Sequence, residues 1–283
     1  MNRTPPARIR RQLRKEVNFG CPIEGCGIPY LTYHHFDPPW REKEHHNPKG
    51  MIALCPSHAA IADGGAWTKD QINKIKKQPF IQKDQISNRF RFLRHDVLCK
   101  IGCLAYDFNS FISISNETVL SLKRTPQGYL GLNIKIRDRE GNVILEMKQN
   151  DWIVYTKDIF DFECPPQGKY FKVYARDNVT DFTVRFDDFS IKEFRERTRA
   201  YKPEGIELLL NKMGVPEEIH ILKILGRIQM GKHDIRITET GIISESAKVN
   251  FNLQTSFLIG HKGISLFSFN ENGTITMGKY ISS

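Results

Sequence analysis

Hydrophobic and polar residues alternate along much of the chain after residue 100, which is the pattern of strands that bury one face. The segments GLNIKIRD (131–138) and VILEM (143–147) lie on either side of the turn residues REGN, and Tyr170–Tyr174 and Phe182–Phe186 alternate in the same way. Similar alternation recurs in the last third of the chain. We therefore expect a mostly β domain over residues 101–283, either a sandwich or a solenoid-like stack.

The first hundred residues contain shorter apolar runs, separated by turn-forming residues. The run IPYLTYHH is rich in strand-forming residues, a loop with three prolines follows it, and MIAL fits a second strand. A helix that begins at Cys55 ends near Gly64–Gly65. Basic helices are expected at residues 8–18 and at Thr68–Lys77, the second with Thr68 or a neighbour as its cap. The order strand, loop, strand, helix predicts a ββα unit.

Together these patterns predict an α+β protein with two parts. Residues 1–96 contain the ββα unit, its basic N-terminal arm and the following helices, and residues 101–283 form the mostly β domain. Within the second part we expect one or two helices, near Gly205–Met213 and Pro216–Leu225. A chain of 283 residues is long enough for two domains of ordinary size.

The net charge of +10 is distributed unevenly. Residues 1–100 contain 18 Lys and Arg against 9 Asp and Glu, whereas residues 101–283 contain 24 against 23. A basic surface attracts phosphate backbones without reading base sequence, and a merely solvated charged face is the alternative. The sequence contains neither an apolar run of about 18 residues nor the apolar core of a secretion signal. We therefore expect a cytoplasmic protein without a membrane partner.

Four residues of the basic segment have the spacing of a structural zinc site. Four residues separate Cys21 from Cys26, and two separate Cys55 from His58. Zinc favours four nitrogen and sulfur ligands, often supplied as two closely spaced pairs. A group of buried thiols without metal is the alternative. Pairs of this kind are more typical of a reducing cytosol than of a disulfide scaffold.

His34 and His35 lie between the two pairs, at the start of HHFDPPW. Followed by HHNPKGMIALCPSH, they resemble the zinc-knuckle HNH endonucleases of the ββα-metal superfamily, over roughly residues 15–70. The resemblance implies a metal-dependent phosphodiesterase that acts on DNA. By the same resemblance, His34 binds a catalytic Mg²⁺ or Mn²⁺ and His35 is the general base. Neutral imidazole suits both roles near pH 7, and two ordinary surface histidines are the alternative.

The loop after the histidine pair departs from the family pattern. Gly50 stands where the family often has an Asn before the second strand. Asn47 is the nearest candidate for that role, or else a plain turn residue before Pro48. His45 and His46 are interpreted as residues of a solvated loop, with contact to phosphate or metal as the other possibility.

The helix shows a second departure. The family pattern has a second metal-binding His directly after the position of His58, and an Asp or His four residues later. This chain has Ala59 and Asp63 there. Asp63 can bind Mg²⁺ or Mn²⁺ through oxygen, whereas the methyl group of Ala59 cannot bind a metal.

Three explanations of Ala59 compete. The natural enzyme manages with His34, Asp63 and waters; or the protein is a degenerate relative that does not cut; or a His was deliberately replaced to trap an intact nucleic-acid complex. We favour deliberate replacement, because decay would usually change several positions and the residues around Ala59 keep the pattern.

The sequence thus predicts a DNA endonuclease with a structural Zn²⁺ and a catalytic Mg²⁺ or Mn²⁺, impaired in this chain at Ala59. Residues 101–283 contain no phosphate-binding Gly loop, and we interpret them as an interaction, oligomerisation or sensing domain. Such fusions resemble effectors of bacterial anti-phage defence, in which a nucleic-acid-sensing partner, for example a short Argonaute-type protein, or self-assembly controls the nuclease. A DNA-positioning domain is the alternative for this segment. The alternative for the whole chain is a non-catalytic, zinc-stabilised DNA-binding or assembly module.

Overall fold

The computed structural model describes nearly all of the first 190 residues and shorter segments after them. Its described residues are 2–80, 84–95, 97–101, 104–106, 110–114, 117–176, 181–190, 218–230, 233–238, 242–244, 249–252, 256–258, 268–269 and 275–276. This part of the chain is α+β, with few helices and mostly antiparallel sheets, which confirms the predicted class.

The first 77 residues have the predicted order of strand, loop, strand and helix. Their elements are α1 (Ala7–Glu16), β1 (Thr32–His35), a 3₁₀ turn (Pro48–Gly50), β2 (Met51–Leu54), α2 (Pro56–Asp63) and α3 (Lys69–Lys77). The two strands pair antiparallel, with His34 opposite Ile52 and His35 opposite Met51. We call residues 7–77 the N-terminal module.

The ends of the helices follow local sequence signals. Pro56 opens α2, where its fixed φ and missing N–H cost nothing, and Gly65 follows the helix at φ +80°. At the start of α3 the Thr68 hydroxyl accepts a hydrogen bond from the backbone N–H of Gln71, and the Gln71 side chain accepts one from the N–H of Thr68. This reciprocal capping box confirms the predicted cap.

The remaining described chain is almost entirely β. Its strands are β3 (Gln85–Arg89), β4 (Val97–Ile101), β5 (Leu104–Tyr106), β6 (Ser110–Ile114), β7 (Glu117–Arg124), β8 (Leu130–Arg137), β9 (Val143–Lys148), β10 (Asp151–Tyr155), β11 (Ile159–Glu163), β12 (Tyr170–Ala175), β13 (Asp181–Ser190), β14 (Glu218–Met230), β15 (His233–Ile237), β16 (Ile242–Ser244), β17 (Val249–Asn252), β18 (Ser256–Leu258), β19 (Ser268–Phe269) and β20 (Ile275–Thr276). A short 3₁₀ turn, Thr156–Asp158, joins β10 to β11.

Two large sheets contain nearly all of these strands. The first has the order β17-β6-β7-β8-β9-β10-β3. The second has the order β11-β12-β13-β14-β4-β5-β18, with β15 paired to β14 and β16 paired to β15. Among the described ladders only β4 with β14 is parallel. The small hairpin of β19 and β20 is separate from both sheets.

One hydrophobic core lies between the two sheets. It contains Leu132 and Trp152 from the first sheet and Phe162, Phe171 and Val184 from the second, all at most 1 % exposed. The buried side chains alternate along the strands, as in Tyr170–Ala175. Two sheets that share a core in this way form a sandwich, which was one of the two expected architectures.

The structure corrects the helix expected at Pro216–Leu225. From Glu218 onward this segment belongs to β14, which pairs with ten residues of β13 and also with β4 and β15. Partners on both sides satisfy the backbone of β14, and its apolar face enters the core through Leu222 and Ile224. These long-range contacts override the local pattern. The other expected helix, Gly205–Met213, lies outside the described residues.

The sheets also include strands that precede residue 101. β3 pairs with β10, and β4 pairs with β14. A second, smaller core lies within the N-terminal module and includes Leu13, Met51, Leu54 and Ile72. Nowhere in the described chain is there a helix with the length and apolar character that crossing a membrane requires.

Candidate metal centre and histidine site

Three cysteines and one histidine meet at one point of the N-terminal module. The ligand atoms of Cys21, Cys26, Cys55 and His58 all lie within 4.8 Å of one another. His58 Nδ1 is 3.3 Å from Cys21 Sγ and 3.2 Å from Cys55 Sγ, and the Sγ atoms of Cys26 and Cys55 are 3.8 Å apart. The two pairs that the sequence separates by 28 residues therefore form one cluster, which we call the Cys3His cluster.

These distances fit a tetrahedral metal ion. Two thiolates bound to zinc at about 2.3 Å with tetrahedral angles lie about 3.8 Å apart, as Cys26 and Cys55 do. Three sulfurs and one imidazole nitrogen are also a common donor set of structural zinc sites. The Cys3His cluster can therefore bind a metal such as zinc.

Local backbone geometry brings the first cysteine pair into position. The Cys26 N–H donates to Ile23 O, and the Gly27 N–H donates to Cys21 O, which folds the segment into a tight knuckle. Gly25 and Gly27 have φ values of +75° and +59°, a backbone conformation that residues with a Cβ rarely adopt. The second pair is positioned by α2, because Cys55 is its N-cap residue and His58 lies in its first turn.

Burial shapes the chemistry of the thiols. It raises the pKa of Cys21 to about 12 and also raises the pKa of Cys26, so that without a cation both remain neutral. A bound dication would stabilise the thiolates and release their protons.

His34 on β1 faces Asp63 at the end of α2, the helix whose first turn carries His58. His34 Nδ1 is 3.0 Å from Asp63 Oδ1, and the His34 side chain is 8 % exposed against 57 % for Asp63. Burial lowers the pKa of His34, while the Asp63 carboxylate opposes that change. This distance suits a hydrogen bond, and it also equals the roughly 3 Å between neighbouring ligands of an octahedral Mg²⁺ with bonds of about 2.1 Å.

His35 points to the opposite face of β1, because side chains alternate along a strand. Its ring centroid lies 4.7 Å from Trp40, 5.1 Å from His45 and 5.9 Å from His46. The side chain is 3 % exposed, and neither ring nitrogen has a hydrogen-bond partner among the described residues. We call His35, Trp40, His45 and His46 the His35 cluster.

The electrostatic surroundings keep His35 neutral. Burial lowers its pKa to about 4, the side chains of His45, His46 and Arg3 lower it further, and the nearby backbone of His45 opposes the change. An unpaired, buried ring is unusual, since polar groups removed from water normally find a partner. Two available ring nitrogens are consistent with a group that acts on a water or a substrate.

His45 is buried, so the interpretation of His45 as a residue of a solvated loop is wrong. It is 8 % exposed, its Nε2 lies 2.8 Å from Pro38 O, and its Nδ1 accepts the backbone N–H of Asn47 at 3.1 Å. These contacts place the proton on Nε2, which donates to Pro38. The loop is therefore tied together by His45, and His46 stacks on Trp40 at 5.5 Å.

Asn47 and Gly50 shape the turn that leads into β2. The Asn47 side chain accepts the backbone N–H of Lys49 at 3.2 Å and so caps the 3₁₀ turn, and the Asn47 backbone N–H donates to His45. A Cβ on Gly50 would lie 1.7 Å from Asp37 O. The glycine thus allows the two ends of the loop to approach, a role that its sequence position alone did not reveal.

Ala59 lies one helical turn before Asp63 on α2, which packs against β1. The two residues share one face of the helix because they are four positions apart. Ala59 is 8 % exposed and belongs to the small core. The structure thus brings His34 and Asp63 together, places the methyl group of Ala59 on the same face of α2 as Asp63, and places Asn47 in the turn.

Sequence reasoning missed the roles of Trp40 and His45. A tryptophan next to two prolines and a second histidine pair in the same loop were the only signals for them. No protein-family model, curated protein or solved structure matches this chain. Functional inference therefore depends on the geometry of these residues.

Proposed function

We propose that the N-terminal module is a metal-dependent DNA endonuclease of the HNH type and that Ala59 impairs it in this chain. The pairing of His34 with Asp63, at 3.0 Å across β1 and α2, is the main support for this proposal. A neutral imidazole and a carboxylate that converge at the end of the helix carrying His58 are suitable ligands for a divalent cation.

In this proposal the chain's own residues divide the work. His34 and Asp63 would hold Mg²⁺ or Mn²⁺, which supplies positive charge to the phosphodiester and its leaving oxygen. His35 accepts a proton from the attacking water at one of its unpaired ring nitrogens. Its lowered pKa keeps the base form present at neutral pH, although it also makes His35 a weak base.

Substrate access requires a change in the loop of residues 36–50. Trp40 and His46 stack on each other over His35, so a phosphodiester reaches the base only when they are displaced. Arg3 is close enough to lower the pKa of both His34 and His35, although burial is the larger cause at each. A cation at that place favours the approach of phosphate.

A non-catalytic DNA-binding or assembly module is the second candidate function. The buried methyl group of Ala59 favours it, because the proposed metal site then has only two protein ligands. In that case the Cys3His cluster stabilises the fold, and His34 and His35 have no catalytic role.

Restoring the missing imidazole distinguishes the two candidates. We expect Ala59→His to nick supercoiled plasmid in the presence of Mg²⁺, Mn²⁺ or Ni²⁺. Adding His35→Ala to the restored variant should reduce the rate by about 10²-fold or more, the usual contribution of a general base. EDTA should abolish the activity.

Ala60→His is the matched control, because it adds the same side chain to the adjacent, exposed position of α2. It should not nick DNA. Failure of Ala59→His to cut DNA, with zinc retained and any activating partner supplied, would establish the non-catalytic alternative.

We further propose that the nuclease serves bacterial anti-phage defence under the control of a nucleic-acid-sensing partner or of self-assembly. The near-neutral composition of residues 101–283 supports a role in protein contacts rather than in clamping DNA. The test is whether nicking by the Ala59→His variant depends on protein concentration or on an added short Argonaute-type protein with its guide. Nicking that responds to neither would reject this form of control.

A further inference from the structure

The basic helix α1 is bound to the sandwich through a buried ion pair. The Arg14 side chain donates from Nε to Asp161 Oδ1 at 3.1 Å and from Nη2 to Asp161 Oδ2 at 2.7 Å. Arg14 is 4 % exposed and Asp161, on β11, is 1 % exposed. Although burial alone would lower it, the hydrogen bond to Asp161 raises the pKa of Arg14 above its ordinary value. The guanidinium is therefore charged and bidentate.

The remaining terminal nitrogen of the same guanidinium contacts the strand that carries the histidines. Arg14 Nη1 donates to the Tyr33 hydroxyl at 2.6 Å. Tyr33 lies on β1 directly before His34, and its side chain is on the same face of the strand as that of His35. One side chain thus links β11 of the sandwich to β1 of the N-terminal module.

The neighbouring basic residues of α1 contact β11, which is an edge strand of the second sheet. Arg11 Nε donates to Asp161 at 3.0 Å, Arg10 pairs with Glu163 at 3.1 Å, and Lys15 Nζ lies 3.7 Å from the centre of the Phe160 ring. These side chains are more exposed than Arg14, and exposed pairs contribute little. Several basic side chains of α1 therefore lie along β11 while they remain partly exposed.

We propose that Arg14 is a positioning residue, which holds β1, and with it His34 and His35, in a fixed place relative to the sandwich through Asp161 and Tyr33. Its catalytic meaning depends on the nuclease function proposed above, whereas the positioning itself does not. If a protein that binds the sandwich displaced β11, the Arg14 contacts would transmit that displacement to β1, which carries His34 and His35.

Two substitutions separate the two contacts of Arg14. Tyr33→Phe removes only the hydroxyl that contacts Arg14, and Asp161→Asn removes the charge of the buried carboxylate while keeping its size. In the zinc-loaded full chain, we expect amide hydrogen exchange at Thr32–His35 to rise about tenfold in both variants, the effect of losing one hydrogen bond to a charged group. Exchange in β11 should rise only with Asp161→Asn.

Two further measurements distinguish positioning from a general loss of stability. The imidazole NMR signals of His34 and His35 should shift in both variants while the zinc content stays at one per chain. In the Ala59→His background, both variants should lower kcat about tenfold and leave KM unchanged, since substrate contacts are kept. Asp187→Asn is the matched control, because Asp187 pairs with Arg185 and Lys223 within the sandwich.

Unchanged exchange and unchanged histidine signals in Tyr33→Phe would overturn the proposal, because this variant keeps the ion pair and should fold. Faster exchange at Thr32–His35 and shifted histidine signals in Asp187→Asn would also overturn it, since they would show a nonspecific response. If Ala59→His does not cut DNA but the exchange and NMR changes occur, the positioning role stands and the nuclease function falls.

Discussion

At the scale of single residues, the loop between β1 and β2 depends on contacts that leave little room for substitution. Gly50 O accepts the backbone N–H groups of Phe36 and Asp37, at 2.9 and 3.2 Å. This pairing brings the start and the end of the loop together, and His45 joins Pro38 to Asn47 between them. The surroundings of His35 are consequently set by backbone approach as well as by side-chain packing.

Replacing Gly50 by alanine should strongly destabilise the N-terminal module. The added Cβ would lie 1.7 Å from Asp37 O and 3.2 Å from His45 Cε1, so the loop must separate from β2. We expect the free energy of unfolding of the module to fall by about 3 kcal/mol or more, which is the upper end of the usual cost of overpacking a buried site. Urea unfolding followed by the fluorescence of Trp40 and Trp67, in a Trp152→Phe background, measures this change.

The control is Gly64→Ala on the same module. Gly64 has φ −72°, and an added Cβ would have Ile61 O as its nearest neighbour, at 3.4 Å. We expect a change within about 1 kcal/mol, of either sign. Equal stability of Gly50→Ala and the unmodified protein would contradict the close approach of the loop ends.

At the scale of secondary-structure elements, the N-terminal module was predictable because its signals are local. The cysteine pairs, the proline that opens α2 and the cap of α3 each involve residues within five positions of one another. The element β14 was not predictable in this way, since its partners in β4 lie more than 100 residues earlier in the chain. Arg14 and Asp161, separated by 147 positions, could not be paired from sequence for the same reason.

Removing the cap of α3 should weaken the module by a modest amount. Thr68→Ala deletes the hydroxyl that accepts the Gln71 N–H, and such losses cost about 1 kcal/mol. The helix contributes Ile72 to the small core, and Lys76 binds Glu16 and Met51 O, so its loosening affects the whole module. Urea unfolding should show this loss.

Ser57→Ala on α2 is a matched control for the cap, because Ser57 is exposed and lies inside a helix. It should change the free energy of unfolding by less than about 0.5 kcal/mol. An equal effect of the two substitutions would argue against the capping box.

At the scale of the whole molecule, the described chain contains two cores, which meet at α1 and at Phe19 and Tyr30. The sandwich core and the small core of the N-terminal module involve different residues. The sandwich has many long-range strand pairings, whereas the module has a two-stranded sheet and short helices. A small core of this kind usually needs additional stabilisation, which a metal in the Cys3His cluster would provide.

Removing the metal should therefore unfold the module and leave the sandwich intact. The three tryptophans report the two parts separately, because Trp40 and Trp67 lie in the module and Trp152 in the sandwich core. With a strong chelator, the Trp152→Phe variant should show a large red shift of its emission, and the Trp40→Phe/Trp67→Phe variant almost none. Cys26→Ser should mimic the chelator by removing one ligand, and Cys164→Ser, a change outside the cluster, should not. A red shift of Trp152 on chelation would instead show that the sandwich depends on the metal.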